Sequence, residues 1–198
     1  MGLVFEPEEH KYFLDGRELA SVSSLIAPLG ERMSEELEGA FALAAERGTA
    51  LHAVLAALWD GNPDAEMELP EEYEPYLEGI RRFLSEHTIE PVAVEEPICS
   101  SALGIAGTPD LLCYFDGKLS LLDYKFVGQV AKTRAKAQLN FYALIYEEQG
   151  VFAESLYIIQ FLADGYRLYP VSLGREEVEV CLAIKRLREK KHGRGRIE

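Results

Sequence analysis

Apolar residues change their period several times along the chain, and each change marks a new element. From Glu35 to about Trp59 the positions Leu37, Phe41, Leu43, Ala44, Leu51, Val54, Leu55 and Leu58 recur at helical spacing, which predicts one long helix. Gly48 interrupts it and Asp60-Gly61 ends it. A second helix is predicted from Tyr73 to His87. The pattern then shortens to strand-like runs: PVAVEEPICS, the pair inside GTPDLLCYFDGKLSLLDYKF, and later ESLYIIQFL and YRLYPVSL around Asp164-Gly165. TRAKAQLNFYALIYEEQG predicts a helix stopped by Gly150, and EEVEVCLAIKRLREKK a closing helix. At the N-terminus, KYFLDGREL reads as a β-hairpin and SVSSLIAPLG as a serine-capped short helix, together a flap on the main fold.

Helix, helix, three strands, helix, two strands, helix is the order of an α/β or α+β protein, with a central mixed sheet flanked by helices. A single domain over 1–198 is expected, with a hairpin and lead-in over 1–30, a core over 35–172, and a C-terminal helix and basic tail over 174–198. The last stretch of that tail, HGRGRIE, is expected to be disordered.

One strand pair carries an oddity. Asp116-Gly117 is a strong signal for a two-residue type I′ turn, which needs positive φ at both positions. Such a loop sets Phe115 opposite Lys118, Leu112 opposite Leu121, and Asp110 opposite Asp123. Residues so placed have Cβ atoms about 4.5–5.5 Å apart, and like charges there repel. Strand alternation puts Lys125 on the face of Asp123. Two carboxylates in an apolar strand pair need a partner or a cation, and with a lysine beside them they form a hard oxygen site suited to Mg²⁺. An exposed ion pair is the bland alternative, and the apolar flanks weigh against it. Pro109 cannot donate to a ladder, so a bulge there would shift this register by one.

Composition narrows the picture. The 198 residues hold no run apolar and long enough to span a bilayer. MGLVFEPEEHKYF lacks the basic start and apolar stretch of a secretory signal, so the cytoplasm is expected. Cys99, Cys113 and Cys181 are far apart with no C-x-x-C pairing, which argues for small core residues. A net charge of -14 would repel a polyanion if spread evenly, but acid gathers in 64–78 and base in KTRAK (132–136) and 185–196. A nucleic-acid partner is therefore compatible through a local patch.

Thr108-Pro109-Asp110 followed by Asp123-Tyr124-Lys125 resembles the metal site of the PD-(D/E)XK nuclease superfamily, with its restriction-endonuclease-like core. Further matches in order resemble the RecB-like exonuclease branch: Gly48 and His52 in GTALH, Glu95-Glu96-Pro97-Ile98, Gly107 before Asp110, and Gln138 with Tyr142. They span roughly 47–146, and YFLDGRELASVSSLI is similar to the lead-in of phage and mitochondrial-genome-maintenance exonucleases.

The resemblance implies that Asp110, Asp123 and His52 bind Mg²⁺ or Mn²⁺, with the Tyr124 carbonyl a further ligand. Lys125 would orient or activate water and stabilise charge, while Gln138 and Tyr142 steady the lysine or the phosphate. Either Glu95 or Glu96 faces the site, and the motif favours Glu95. Without the resemblance, a histidine in LHAVLAAL is more often a satisfied core residue, and Gln138 and Tyr142 share a helix face as any polar seam would. The implied activity is metal-dependent hydrolysis of DNA from its ends, extending to single strands, in recombination, repair or phage DNA metabolism, beside a recombinase or helicase. The rival readings are an inactive DNA-binding module of the same fold and a restriction-type endonuclease, for which the chain offers little recognition surface. An iron–sulfur CRISPR-adaptation nuclease is disfavoured by the missing fourth cysteine.

Overall fold

The structure is a computed structural model that describes residues 2–29, 38–62 and 69–194, apart from the side chains of 38–44 and 191–194. The expected helix start at Glu35, the side chains of Phe41, Leu43 and Ala44, part of the acidic 64–78 segment and the end of the basic tail lie outside the described residues.

Strands β1 (Leu3–Glu6), β2 (Lys11–Leu14) and β3 (Arg17–Ser21) form an antiparallel meander, so the expected hairpin gains a third strand. Asp15 and Gly16 take φ of 52° and 80°, the twist a two-residue turn requires. Ser21 accepts the Ser24 N–H with its hydroxyl and caps α1 (Val22–Ile26). Helices α2 (Glu38–Trp59) and α3 (Glu74–Glu86) follow, close to their predicted bounds.

Next come β4 (Ile89–Val94), β5 (Ile98–Ser100), β6 (Ile105–Gly107), β7 (Leu111–Phe115) and β8 (Lys118–Lys125). PVAVEEPICS, expected as one strand, is two strands in different sheets. The chain leaves the first ladder at Glu95, where φ is 44°, and Pro97 has no N–H to continue it. A bulge does occur, but after Pro91 in β4 and not at Pro109. The three-residue β6 is too short to show a period in sequence. It pairs in parallel with β3, so the N-terminal segment is built into a sheet of order β1-β2-β3-β6-β5 and is more than a flap.

The second sheet has the order β10-β9-β8-β7-β4. Its parallel pair, β8 and β9 (Ser155–Leu162), is joined by α4 (Lys132–Glu148), because parallel neighbours need a crossover. Gly150, φ 81°, ends α4 as expected: its N–H bonds the Glu147 carbonyl and the Val151 N–H that of Tyr146. Strand β10 (Gly165–Val171) returns antiparallel, and α5 (Glu176–Arg194) closes the chain, three residues into the tail expected to be disordered.

This sheet is covered on both faces. Leu112, Leu121 and Ile158 pack with Phe141, Ile145 and Val178 on the α4 side, while Leu111, Leu122 and Phe161 meet Leu55, Ile80 and Phe83 from α2 and α3. The class is the expected mixed α+β with flanking helices, built on two mixed sheets where one was expected. Cys113 and Cys181 are buried free thiols. Among the described residues no helix is long and apolar enough to cross a membrane.

Candidate active site

Asp116 and Gly117 take φ of 47° and 83°, and the ladder they start runs from Phe115–Lys118 to Leu111–Leu122 in the expected register. It stops one step before Asp110 and Asp123. In an antiparallel ladder the Tyr124 N–H points toward β7. It finds the Asp110 carboxylate there, donating to Oδ2 at 2.6 Å. The Asp110 carbonyl in turn accepts from the Glu95 N–H at 3.1 Å. Asp110 is thus held by the backbone of two neighbouring strands.

Asp123 is buried, and both its oxygens lie 2.8 Å from Lys125 Nζ. Only Oδ1 accepts a well-formed hydrogen bond, which leaves Oδ2 buried without one. Beyond Lys125, Gln138 Oε1 is 3.5 Å from the ammonium, and Gln138 Nε2 donates to Tyr142 Oη at 3.2 Å. Those two residues are one turn apart on α4, which packs on the sheet face that carries Leu121, Asp123 and Lys125. Burial raises the Asp123 carboxyl above its ordinary range; the Lys125 charge opposes this and the Asp110 charge adds to it. For Lys125, burial pulls downward, but the charges of Asp123 and Asp110 and the hydrogen bond outweigh it and leave the ammonium more firmly protonated. Such a group donates hydrogen bonds and offsets negative charge.

His52 approaches from α2. Leu51, Val54 and Leu55 anchor that helix in the core, and the half-buried imidazole sits edge-on to Phe126 at 5.2 Å. Its Nδ1 is 3.7 Å from Asp110 Oδ1 and 4.0 Å from Glu95 Oε1. Glu95 lines the cavity and Glu96 does not. Burial raises the Glu95 carboxyl, with His52 opposing and Asp110 reinforcing. The Tyr124 ring packs beneath α2 and α3, leaving its backbone as the part beside the carboxylates.

All these groups except Asp123 line one cavity of about 660 Å³; Asp123 reaches it through Lys125. Among the described residues, no three His, Cys, Asp or Glu side chains enclose an ion. The donors nevertheless fit a hard divalent cation: Asp123 Oδ2 is a buried oxygen without a hydrogen bond, Asp110 Oδ1 faces the imidazole, and oxygen donors are what Mg²⁺ takes.

Several supporting residues had no signal in the reading of motifs. Arg47 donates to the Phe126 carbonyl at 3.0 Å and lies over the Tyr76 ring, bracing the end of β8. Its place one residue before Gly48 is the only hint the sequence carries. Buried Gln160 donates to the carbonyls of Val127 and Gly128 at 2.7 and 3.1 Å, fixing the loop after Lys125. Tyr12 shares a hydrogen bond of 2.9 Å with Thr108, which ties the N-terminal meander to the segment before Asp110.

No family model matches the chain, and no curated protein does. Three solved exonuclease structures are among those to which it is similar. The alkaline exonuclease LHK-Exo of Laribacter hongkongensis is 14% identical with a TM-score of 0.43, over 89% of this chain and 92% of that one. The same enzyme in complex with dAMP gives 13% and 0.43, over 88% and 94%. A phage-related exonuclease from Haemophilus somnus gives 14% and 0.40, over 82% and 88%.

Proposed function

We propose that this chain is a divalent-metal-dependent deoxyribonuclease that hydrolyses phosphodiester bonds from DNA ends, using Mg²⁺ or Mn²⁺. The observation that carries this is a single cleft in which a buried carboxylate–ammonium pair meets a second aspartate, a glutamate and an imidazole.

Asp110, Asp123 and His52 hold the ion, with the Tyr124 carbonyl as a further donor. When bound, the cation lowers the pKa of water and offsets charge on the phosphoryl oxygens. Lys125 stays protonated, donates to a non-bridging phosphoryl oxygen and stabilises the charge that builds there. Gln138, steadied by Tyr142, fixes the ammonium. Glu95, whose burial raises its proton affinity, takes the proton that the attacking water releases. Water adds to phosphorus, the phosphorus–oxygen bond to the leaving nucleotide breaks, and that oxygen is protonated from solvent. Work in recombination, repair or phage DNA metabolism, in the cytoplasm and beside a helicase or recombinase, belongs to the same proposal and rests on the RecB-like motifs.

The test is digestion of end-labelled linear single- and double-stranded DNA with Mg²⁺, with and without chelator. Asp123→Ala and Lys125→Ala are each expected to lose about a hundredfold or more in rate. Equal activity in the three proteins would refute the site. Circular DNA cut as readily as linear would remove the end dependence alone, and binding without cleavage under either metal would point to a DNA-binding module.

A further inference from the structure

Part of the lining of the cleft is aromatic. Phe5 and His10, from β1 and the turn that follows it, line the same cavity as His52, Asp110 and Lys125. The Phe5 ring stacks on Tyr12 at 4.7 Å, and the His10 ring stands edge-on to Phe5 at 5.4 Å. Tyr12 is buried and tied to Thr108, so the group has a rigid base two residues from Asp110. His10 itself is exposed and holds a φ of 51°, uncommon for a residue with a side chain.

The charge around this wall limits what it can bind. Glu8 and Glu9 share the turn with His10, Glu6 ends β1 just before it, and Lys11 is paired with Glu9. The acidic residues of this segment disfavour a phosphate beside it, so the backbone of a bound strand is not expected to run along it. Aromatic faces in an acidic segment suit the uncharged part of a nucleotide, its base. Lys125 lines the same cavity and is the cation there that suits a phosphodiester. A second strand would carry its own phosphates toward the acids, which favours one strand over a duplex end.

We propose that Phe5 and His10 form a base-stacking wall that holds the end nucleotide of a single DNA strand while its phosphodiester lies at Asp110, Asp123 and Lys125. This rests on the nuclease reading for the phosphodiester, but its test does not need catalysis. Binding is measured with Ca²⁺ in place of Mg²⁺, using a single-stranded oligonucleotide with a normal end and one whose end nucleotides at both termini lack a base. The proteins are wild type, His10→Ala, His10→Phe and Phe5→Ala.

Base–aromatic stacking predicts that removing the end base weakens wild-type binding roughly 5- to 150-fold. In His10→Ala that penalty shrinks, and in His10→Phe it returns, because any aromatic face serves. A merely structural role for His10 would weaken both oligonucleotides alike. An equal penalty in wild type and His10→Ala overturns the wall, as does tighter binding of a blunt duplex than of the single strand. If the wild type also digests DNA under Mg²⁺, those results leave the nuclease reading standing. Conversely, a protein that fails to cut but keeps the coupling between base and His10 loses the nuclease reading alone. Phe5→Ala follows the same pattern if it keeps the wild-type thermal transition; His10, being exposed, decides the matter regardless.

Discussion

At Asp123 and Lys125 the fold places a buried carboxylate against one ammonium, with an oxygen left over. Removing the ammonium strands the carboxylate. Breaking a fully buried pair costs about 3–5 kcal/mol, and the partial exposure of Lys125 reduces this to about 1–3 kcal/mol for Lys125→Met in the presence of chelator. The pH dependence has a definite sign. Asp123 already has a folded pKa above its unfolded one, because burial disfavours the charge. Its folded form therefore takes up a proton first as pH falls, and stability rises through that folded pKa until the unfolded value is passed. Lys125→Met removes the charge that opposes the shift, so its deficit is largest at neutral pH and closes under acid. Urea denaturation at neutral and acidic pH would measure this, and millimolar Mg²⁺ at neutral pH is expected to restore part of the loss by occupying the freed carboxylate. A deficit indifferent to both pH and Mg²⁺ would mean that Lys125 serves only as packing.

Among the elements, the Asp-Gly turn made the β7–β8 register legible, because a two-residue loop leaves one pairing and alternation then puts Lys125 beside Asp123. The helix stop at Gly150 was legible for the same kind of reason, a backbone conformation that favours glycine. What stayed hidden depends on contacts distant in sequence. Nothing local says that Glu95 turns the chain from one sheet into the other, that three residues at β6 form a strand, or that Tyr12 bonds Thr108. Gly107 is a case between the two: the motif marked it, and the structure supplies the cause. A Cβ there would lie 2.6 Å from Tyr142 Cε1 and 3.2 Å from Val22 Cγ2, so β6 can pass α4 only without a side chain. Gly107→Ala is expected to cost about 1–3 kcal/mol by overpacking. Because the displaced ring supports Gln138, which faces Lys125, DNA hydrolysis should lose kcat more than KM. Thermal melts and steady-state kinetics test both, and Tyr142→Leu should relieve the stability cost of Gly107→Ala while leaving kcat low. Additive stability losses would show that the strain lies elsewhere, against Val22.

For the molecule as a whole, a net charge of -14 has to coexist with the polyanionic substrate proposed for it. That balance weighs against a protein that coats DNA, so the proposed reading needs few and local backbone contacts. The basic residues that open α4 are the available ones. Lys132 lies over the Tyr169 ring at 4.5 Å, Arg134 is exposed and its charge is felt at Lys125, and Lys136 is drawn to Glu177 at 2.8 Å. They follow in sequence from the loop that Gln160 fixes after Lys125, which makes them the cations to test for a strand path from the cleft. Each phosphate contact to a single strand contributes about 0.7 to the slope of log K against log salt. Lys132→Ala should therefore weaken single-strand binding under Ca²⁺ and flatten that slope by about 0.7, equally for any sequence. Lys118 provides the control, since it begins β8 seven residues before Lys125, roughly 20 Å away at strand rise. Lys118→Ala should leave the slope where it is. If the two substitutions changed it equally, DNA would be responding to overall charge, and a strand path from the cleft along α4 would have to be abandoned.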